Sequence, residues 1–126
     1  LINILLKEVV MSNKKIGELI RSLRKERGVS LRELAKKVSV SFVNISHIEN
    51  GKVETSKKIL KQIAEALNYD VDKLYSTSNH ISEDIEMIVS KKPEILPQFL
   101  RSTKSFNNKD WKKLEELADK IKKSKK

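Results

Sequence analysis

Cysteine is absent from this 126-residue chain, and glycine, proline and aromatic residues are scarce. The lack of cysteine excludes disulfide bonds and thiolate metal ligands, which suits a reducing compartment such as the cytoplasm. Three glycines and two prolines leave long stretches without a strong helix breaker. This composition favours an all-α protein over a β-sheet protein or a disordered chain.

Long hydrophobic runs are also missing, because no segment approaches the roughly 20 apolar residues that span a membrane. Positive charge is in excess: 27 Lys and Arg stand against 17 Asp and Glu, which gives a net charge of +10. Such a balance favours a polyanionic partner, either nucleic acid or an anionic membrane surface. The length allows one domain with an appendage.

The first ten residues, LINILLKEVV, directly precede MSNKK, which has the form of an ordinary translation start. Lys7-Glu8-Val9 can be encoded by AAGGAGGT, a ribosome-binding sequence. We therefore expect residues 1–11 to be a non-native or disordered leader; the alternative is a genuine N-terminal arm. A signal peptide is not expected, because a basic leader and a small-residue cleavage site are missing.

Residues 12–75 contain five segments in which apolar residues recur at helical spacing. Gly28 and Gly51 are placed to end the first and third helices in the left-handed conformation, and Glu33 is placed to complete a capping box with Ser30. The predicted helix N-caps are Ser30, Ser41, Ser56 and Asp70. The predicted inward residues outside the third helix are Ile16, Leu19, Ile20, Leu23, Leu31, Leu34, Ala35, Val38, Ile59, Leu60, Ile63, Ala64, Leu67, Val71, Leu74 and Tyr75.

A polar stretch, residues 76–81, is predicted to be a linker to a helical extension, residues 82–126. Pro93 is predicted to lie in the first turn of a helix, and Pro97 to kink or end it. Asn107 is expected to cap a last helix in which Trp111 belongs to a core. The extension is too short for a large core of its own. We therefore expect it to pack on the first domain or on a second copy.

The segment FVNISHIENGK, residues 42–52, has bulky apolar side chains that do not fit one face of a helix. At about 100° per residue its residues divide into two arcs. The isoleucines require one arc to face the core. The inward arc is predicted to hold Asn44, Ile45, Ile48 and Glu49. The outward arc is predicted to hold Phe42, Val43, Ser46, His47 and Asn50.

Two short helices joined by a tight turn are typical of the helix-turn-helix motif, whose second helix lies in the DNA major groove. Thymine alone presents a methyl group there, and apolar side chains can contact it. We therefore interpret Phe42 and Val43 as thymine readers. An alternative for Phe42 is packing against the end of the second helix.

The motifs LRKERGVSLRELAKKVSVS, ISHIENGK and LKQIAEALNYDVDKLY resemble the Xre family of helix-turn-helix regulators, which share the fold of the lambda repressor and Cro. The resemblance covers residues 16–75. It implies an all-α, five-helix DNA-binding domain with a buried ion pair between Arg24 and Glu49. Implied base-reading residues are Phe42, Val43, Ser46 and His47. Implied phosphate-binding residues are Ser30, Arg32, Ser41, Asn44, Asn50, Gly51, Lys52 and Lys57. Leu31 replaces a common glutamine, and Ser39 replaces a common glycine in the turn, where we expect either some strain or a slightly different turn.

The resemblance implies a cytoplasmic, dimeric repressor that binds a double-stranded DNA operator, with no cofactor, no metal, no catalytic site and no membrane partner. The extension is expected to form the dimer or to bind a toxin or an antirepressor. One alternative is an antitoxin that represses its own operon. Another is a protein-interaction module that has lost DNA reading.

Overall fold

The computed structural model describes residues 2–92 and 94–125, with side chains from Leu6 onward. Within these ranges every regular element is a helix, as the composition predicted. The helices are α1 (Ile2–Glu26), α2 (Leu31–Lys37), α3 (Phe42–Glu49), α4 (Lys57–Ala66), α5 (Val71–Thr77), α6 (Glu83–Lys91), α7 (Ile95–Ser102) and α8 (Asn108–Ser124). They form two compact units, Leu1–Glu83 and Asp84–Lys126. We call these the N-terminal unit and the C-terminal unit.

The first five helices enclose one hydrophobic core. Helix α1 contacts α3 and α5, α2 contacts α3 and α4, and α4 contacts α5. Full burial of an aliphatic side chain contributes roughly 1.5–3 kcal/mol, so this core fixes the place of the short helices. The other predicted inward residues pack against it partly buried. The buried apolar residues are Ile16, Ile20, Leu23, Leu34, Val38, Ile45, Ile48, Leu60, Ile63, Ala64, Leu67, Leu74 and Tyr75.

Side-chain caps begin four of these helices, as predicted. The Oγ atoms of Ser30, Ser41 and Ser56 each accept the backbone N–H three residues ahead, at 3.1, 3.2 and 3.2 Å. Asp70 caps α5 by accepting the N–H of Asp72 at 2.8 Å. The predicted capping box of α2 is only half formed, because the bonds of the described residues do not include one from the backbone N–H of Ser30 to the carboxylate of Glu33.

Helices α1 and α3 approach each other closely at Gly17. A Cβ atom added there would lie 2.5 Å from the carbonyl oxygen of Ile48 and closer still to that of Glu49. Only glycine leaves room for this approach. A glycine inside a helical pattern is the sequence signal that could have predicted this contact.

Helix α1 continues back to Ile2, so the described part of the expected leader is helical, while its being non-native stays a prediction. Adding residues to an existing helix costs little once its first turn has formed. The side chains from Leu6 to Met11 are exposed and add nothing to the core. A natural start at Met11 stays a prediction.

The predicted linker, residues 76–81, begins later than expected because α5 runs to Thr77. The hydroxyls of Ser76 and Thr77 donate to the carbonyl oxygen of Lys73, at 2.8 and 3.1 Å. Bonds of this kind let polar residues remain in the last turn of a helix.

In the C-terminal unit, the prediction that Pro97 kinks or ends a helix is wrong. It is the third residue of α7, where backbone N–H groups have no partner within the helix, so its missing N–H costs little. Pro93 lies outside the described residues. Asn107 begins α8 with a full capping box to Asp110.

The prediction that Trp111 belongs to a core is wrong: 43% of its surface is exposed. Its ring meets that of Phe106 edge to face, with centroids 5.7 Å apart. Among the described residues of this unit, the buried side chain is Thr103, a polar one. The described part of the C-terminal unit therefore has helices with apolar faces but no fully buried apolar side chain.

Candidate nucleic-acid interface

Helices α2 and α3, joined by residues 38–41, form the predicted helix-turn-helix. Ile45 and Ile48 hold α3 on the core and are buried, as predicted. On the other side Val43 keeps 48% of its surface exposed. One face of α3 is therefore fixed and the other is open.

The division of α3 into two arcs is wrong at its borders. Asn44 is exposed, although it was placed on the inward arc, and Ser46 and His47 are half-buried rather than fully outward. Phe42 is 44% exposed but precedes Ile45 by three residues and Glu49 by seven, so it borders the inward face. A small rotation of a short helix decides the orientation of such border residues.

The structure contains the predicted ion pair between Arg24 of α1 and Glu49 of α3. Arg24 Nε donates to Glu49 Oε2 at 2.7 Å, and Nη2 donates to Oε1 at 3.0 Å. The third guanidinium nitrogen, Nη1, donates to the carbonyl oxygen of Val29 at 3.0 Å. This fork-to-fork geometry is the strong form of the interaction, and it ties the end of α3 to α1.

The hydrogen bond to Glu49 raises the pKa of Arg24 above its ordinary value, although burial acts in the opposite direction. The guanidinium therefore stays charged inside the protein. Arg21 lies 4.0 Å from the same carboxylate, but its side chain is 54% exposed. Water screens this second contact, so Arg24 is the main partner.

The turn between α2 and α3 is fastened to α4 by Ser39, whose N–H donates to Gln62 Oε1 at 2.9 Å. Of the two alternatives expected for Ser39, the strained turn is wrong, and the slightly different turn is left. In the described chain the non-glycine residues with positive φ are Asn68 and Asn79. The turn is thus an unstrained one held from outside by Gln62, a residue that the sequence analysis did not connect with it.

Gly51 ends α3 as predicted, with φ of +70°. Its N–H donates to Ile48 O at 3.1 Å, and the N–H of Lys52 donates to His47 O at 3.0 Å. These bonds close the helix and hold the chain that carries Lys52. Gly51 also lies against α1, since an added Cβ would be 3.0 Å from the Cα of Lys14.

The residues predicted to bind phosphate lie at the starts of α2, α3 and α4 and at the end of α3. Six of them are exposed, while Gly51 and Lys57 are half-buried. Ser30 and Ser41 accept cap bonds, which leaves their hydroxyl hydrogens to donate to an anion. The ammonium group of Lys57 lies 5.5 Å from the ring centroid of Tyr75. The exposed predicted phosphate ligands are Ser30, Arg32, Ser41, Asn44, Asn50 and Lys52.

The ring of Phe42 lies against α2 while 44% of its surface stays exposed, so packing against the second helix and contact with DNA are compatible. The guanidinium carbon of Arg32 lies 5.1 Å from the centroid of its ring, a cation–π distance. Ala35 and Lys36 of α2 line the same groove. Nothing in the sequence pattern paired Arg32 with Phe42, because the contact depends on the angle between two helices.

Other kinds of site find no support in the described residues. They hold no group of three or more His, Cys, Asp and Glu side chains that could bind a metal ion. None of the helices described is both long and apolar enough to cross a membrane.

Comparisons with known proteins agree with this geometry. Residues 20–74 match the Helix-turn-helix family model HTH_3. The chain is 36% identical over 75 residues to the ImmF control region 10 kDa protein of Bacillus phage phi105, an alignment covering 60% of this chain and 83% of that protein. It is 38% identical over 71 residues to the HTH-type transcriptional repressor RghR of Bacillus subtilis, covering 56% of this chain and 53% of that repressor.

Among solved structures, the clp gene regulator ClgR from Corynebacterium glutamicum superimposes with a TM-score of 0.50 at 28% identity. The superposition covers 74% of this chain and 94% of that regulator. Residues 20–74, which the family model matches, contain the ion pair, the turn and the open face of α3. The chain therefore belongs to the Xre-like helix-turn-helix family of non-enzymatic, DNA-binding transcription regulators.

Proposed function

We propose that this chain is a sequence-specific repressor that binds an operator as a dimer in the cytoplasm, where bacterial DNA lies. The observation that carries the proposal is that α3 has one face buried in the core and the opposite face exposed. Ile45, Ile48 and Glu49 fix the helix from inside, while Val43 extends outward. A side chain held on a rigid helix can discriminate between bases without first being ordered.

Affinity comes mainly from contacts to phosphate in this proposal. The N-terminal unit carries 14 Lys and Arg against 8 Asp and Glu between residues 12 and 75. Displacing counterions from DNA makes binding fall steeply as salt rises. Repression follows if the operator overlaps a promoter, since a bound dimer then excludes the polymerase. The name of RghR as a repressor supports this direction of control.

The C-terminal unit supports the dimer. Its described residues include nine large apolar side chains that are exposed, and its apolar groove is lined by Phe99 of α7 and by Trp111, Leu117 and Ile121 of α8. A unit of this size without disulfides needs a partner to cover its apolar surface. A second copy supplies an identical face, and a two-fold pair would carry two copies of α3, one for each half-site of a palindromic operator. The nine side chains are Ile85, Met87, Ile88, Ile95, Phe99, Leu100, Trp111, Leu117 and Ile121.

Selection of bound sequences from a random DNA pool, at two salt concentrations, tests the proposal. We expect an enriched palindrome that contains thymine, with half-sites about one helical turn apart. Val43→Ala should then weaken binding to the selected operator more than binding to unrelated DNA. Lys52→Ala is the matched control. Loss of a phosphate contact should weaken binding to both DNAs alike and reduce the slope of log affinity against log salt concentration by about one.

Two results would contradict the proposal. Salt-sensitive binding with no enriched sequence would mean that the protein binds DNA through phosphate contacts without recognising bases. An equal loss on both DNAs with Val43→Ala would remove this residue from the reading face.

The second candidate function is an antitoxin that represses its own operon. The observation that favours it is the same exposed face of Phe99 and Trp111, which a small toxin could cover instead of a second copy. Co-expression with the product of the adjacent gene distinguishes the two. A stoichiometric complex that is lost with Trp111→Ala would favour the antitoxin, whereas an unchanged homodimer would favour the repressor.

A further inference from the structure

We propose that Arg32 of α2 is a positioning residue for base reading, because it holds the ring of Phe42 in the orientation that contacts a thymine methyl group. This inference rests on the proposed function, since it requires an operator that contains thymine. It assigns part of the sequence discrimination to α2, outside the recognition helix.

The geometry brings two helix starts together. Arg32 is the second residue of α2 and Phe42 is the first residue of α3. The guanidinium carbon lies 5.1 Å from the ring centroid, so one face of the ring is covered by a cation. The ring still has 44% of its surface exposed. It is therefore held on one side and open on the other.

An exposed phenylalanine at the first position of a helix has few neighbours to restrict its side-chain torsions. Stacking under a guanidinium removes part of this freedom before DNA arrives, so less ordering is needed on binding. Arginine suits the task because its planar group stacks on a ring and still presents N–H donors at its edge. Arg32 can thus stack on Phe42 and face a phosphate at the same time.

Lys36 provides the natural comparison within the same groove. It lies one turn after Arg32 on α2, lines the groove with Phe42, and is exposed. The stacked cation of this groove is Arg32. If charge alone mattered, the two residues would have equal effects on DNA binding.

The test uses the full chain and the selected operator, with each thymine replaced in turn by deoxyuridine, which removes only the methyl group. For the wild-type protein we expect about a fourfold loss of affinity at the thymine that Phe42 contacts. With Arg32→Ala the loss at that thymine should shrink to less than about twofold. With Lys36→Ala it should stay near fourfold while overall affinity falls for every DNA.

A second readout needs no DNA. Scalar couplings that report the χ1 torsion of Phe42 should show one dominant rotamer in the wild type and in Lys36→Ala. They should show averaging in Arg32→Ala. Arg32 is exposed, so the variant keeps its fold, and circular dichroism checks this.

An undiminished methyl effect in Arg32→Ala would overturn the inference and leave Arg32 as a phosphate contact only. An enriched operator in which no thymine methyl matters would also overturn it, while the proposed function would stand. If no sequence were enriched, the proposed function itself would fail, and this inference with it.

Discussion

The two units of this protein use similar helices in opposite ways. In the N-terminal unit the apolar faces of five helices meet, and thirteen of the apolar residues described there are buried. In the C-terminal unit the described apolar side chains all stay at least partly exposed, although α8 has apolar residues at regular helical spacing. Amphipathic spacing therefore predicts a helix and its apolar face, but it does not tell what covers that face.

Helices α3 and α8 show the same difference at the level of single elements. Helix α8 is 17 residues long and begins with a capping box, so much of its stability is local. Helix α3 has eight residues, too few to be stable alone in water. Its position depends on Ile45, Ile48 and Glu49, which are buried against the other helices of the unit. A change in the core should therefore affect α3 far more than α8.

The largest effect should come from Glu49→Ala, which leaves Arg24 buried without its carboxylate. Removing one partner of a buried pair costs roughly 3–5 kcal/mol, a large part of the stability of a small domain. Urea unfolding followed by circular dichroism measures the loss. Arg21→Ala is the control, because its exposed contact contributes less than about 1 kcal/mol. Equal losses for the two variants would show that the pair does not hold α3 in place.

The next effect concerns the proposed dimer, which the apolar face of the C-terminal unit is proposed to form. Leu117→Glu places a charge on the apolar face of α8, and burying an unpaired carboxylate costs several kcal/mol. We expect self-association, measured by analytical ultracentrifugation, to weaken at least about 100-fold. The unfolding midpoint of the N-terminal unit should stay unchanged.

Lys112→Glu is the control for this experiment, because it introduces a carboxylate on the opposite side of the same helix. It should leave association intact although it changes the charge by more. If both variants dissociate alike, net charge rather than the apolar face governs association.

The smallest effect should come from Tyr75→Phe. The Tyr75 hydroxyl donates to Lys57 O at 3.2 Å, and its loss should cost about 1 kcal/mol near neutral pH. Burial raises the pKa of Tyr75 above its ordinary value of 10.0, and the charge of Glu83 adds to this. The folded state therefore favours the protonated hydroxyl. This contribution is complete below pH 10 and is lost as the pH rises through the pKa of the folded state.

Urea unfolding on either side of pH 10 measures this dependence. The free energy of unfolding should fall more steeply with rising pH for the wild type than for Tyr75→Phe. The difference in this free energy between the two proteins should therefore narrow. Parallel curves would assign the alkaline loss to lysines instead of Tyr75. Because Tyr75 joins α5 to α4, the effect should appear in the N-terminal unit.

Much of the N-terminal unit could be predicted because its signals are local. Ser30, Ser41, Ser56 and Asp70 each lie two or three residues from the N–H they accept, a distance along the chain that a sequence displays directly. The ion pair of Arg24 and Glu49, 25 residues apart, was predicted from family resemblance and from the inward place of Glu49. By contrast, the contact of Gly17 with α3, the bond from Ser39 to Gln62 and the stacking of Arg32 on Phe42 were all missed.

The sequence by itself determined the helical class, the helix caps, the inward faces and the basic charge, because each follows from the side chains of near neighbours. The tertiary structure alone decided where the border residues of α3 point and which partners the turn and Phe42 have. It also left the apolar face of α8 open. These features depend on angles and distances between helices, and those arise only when the core has packed.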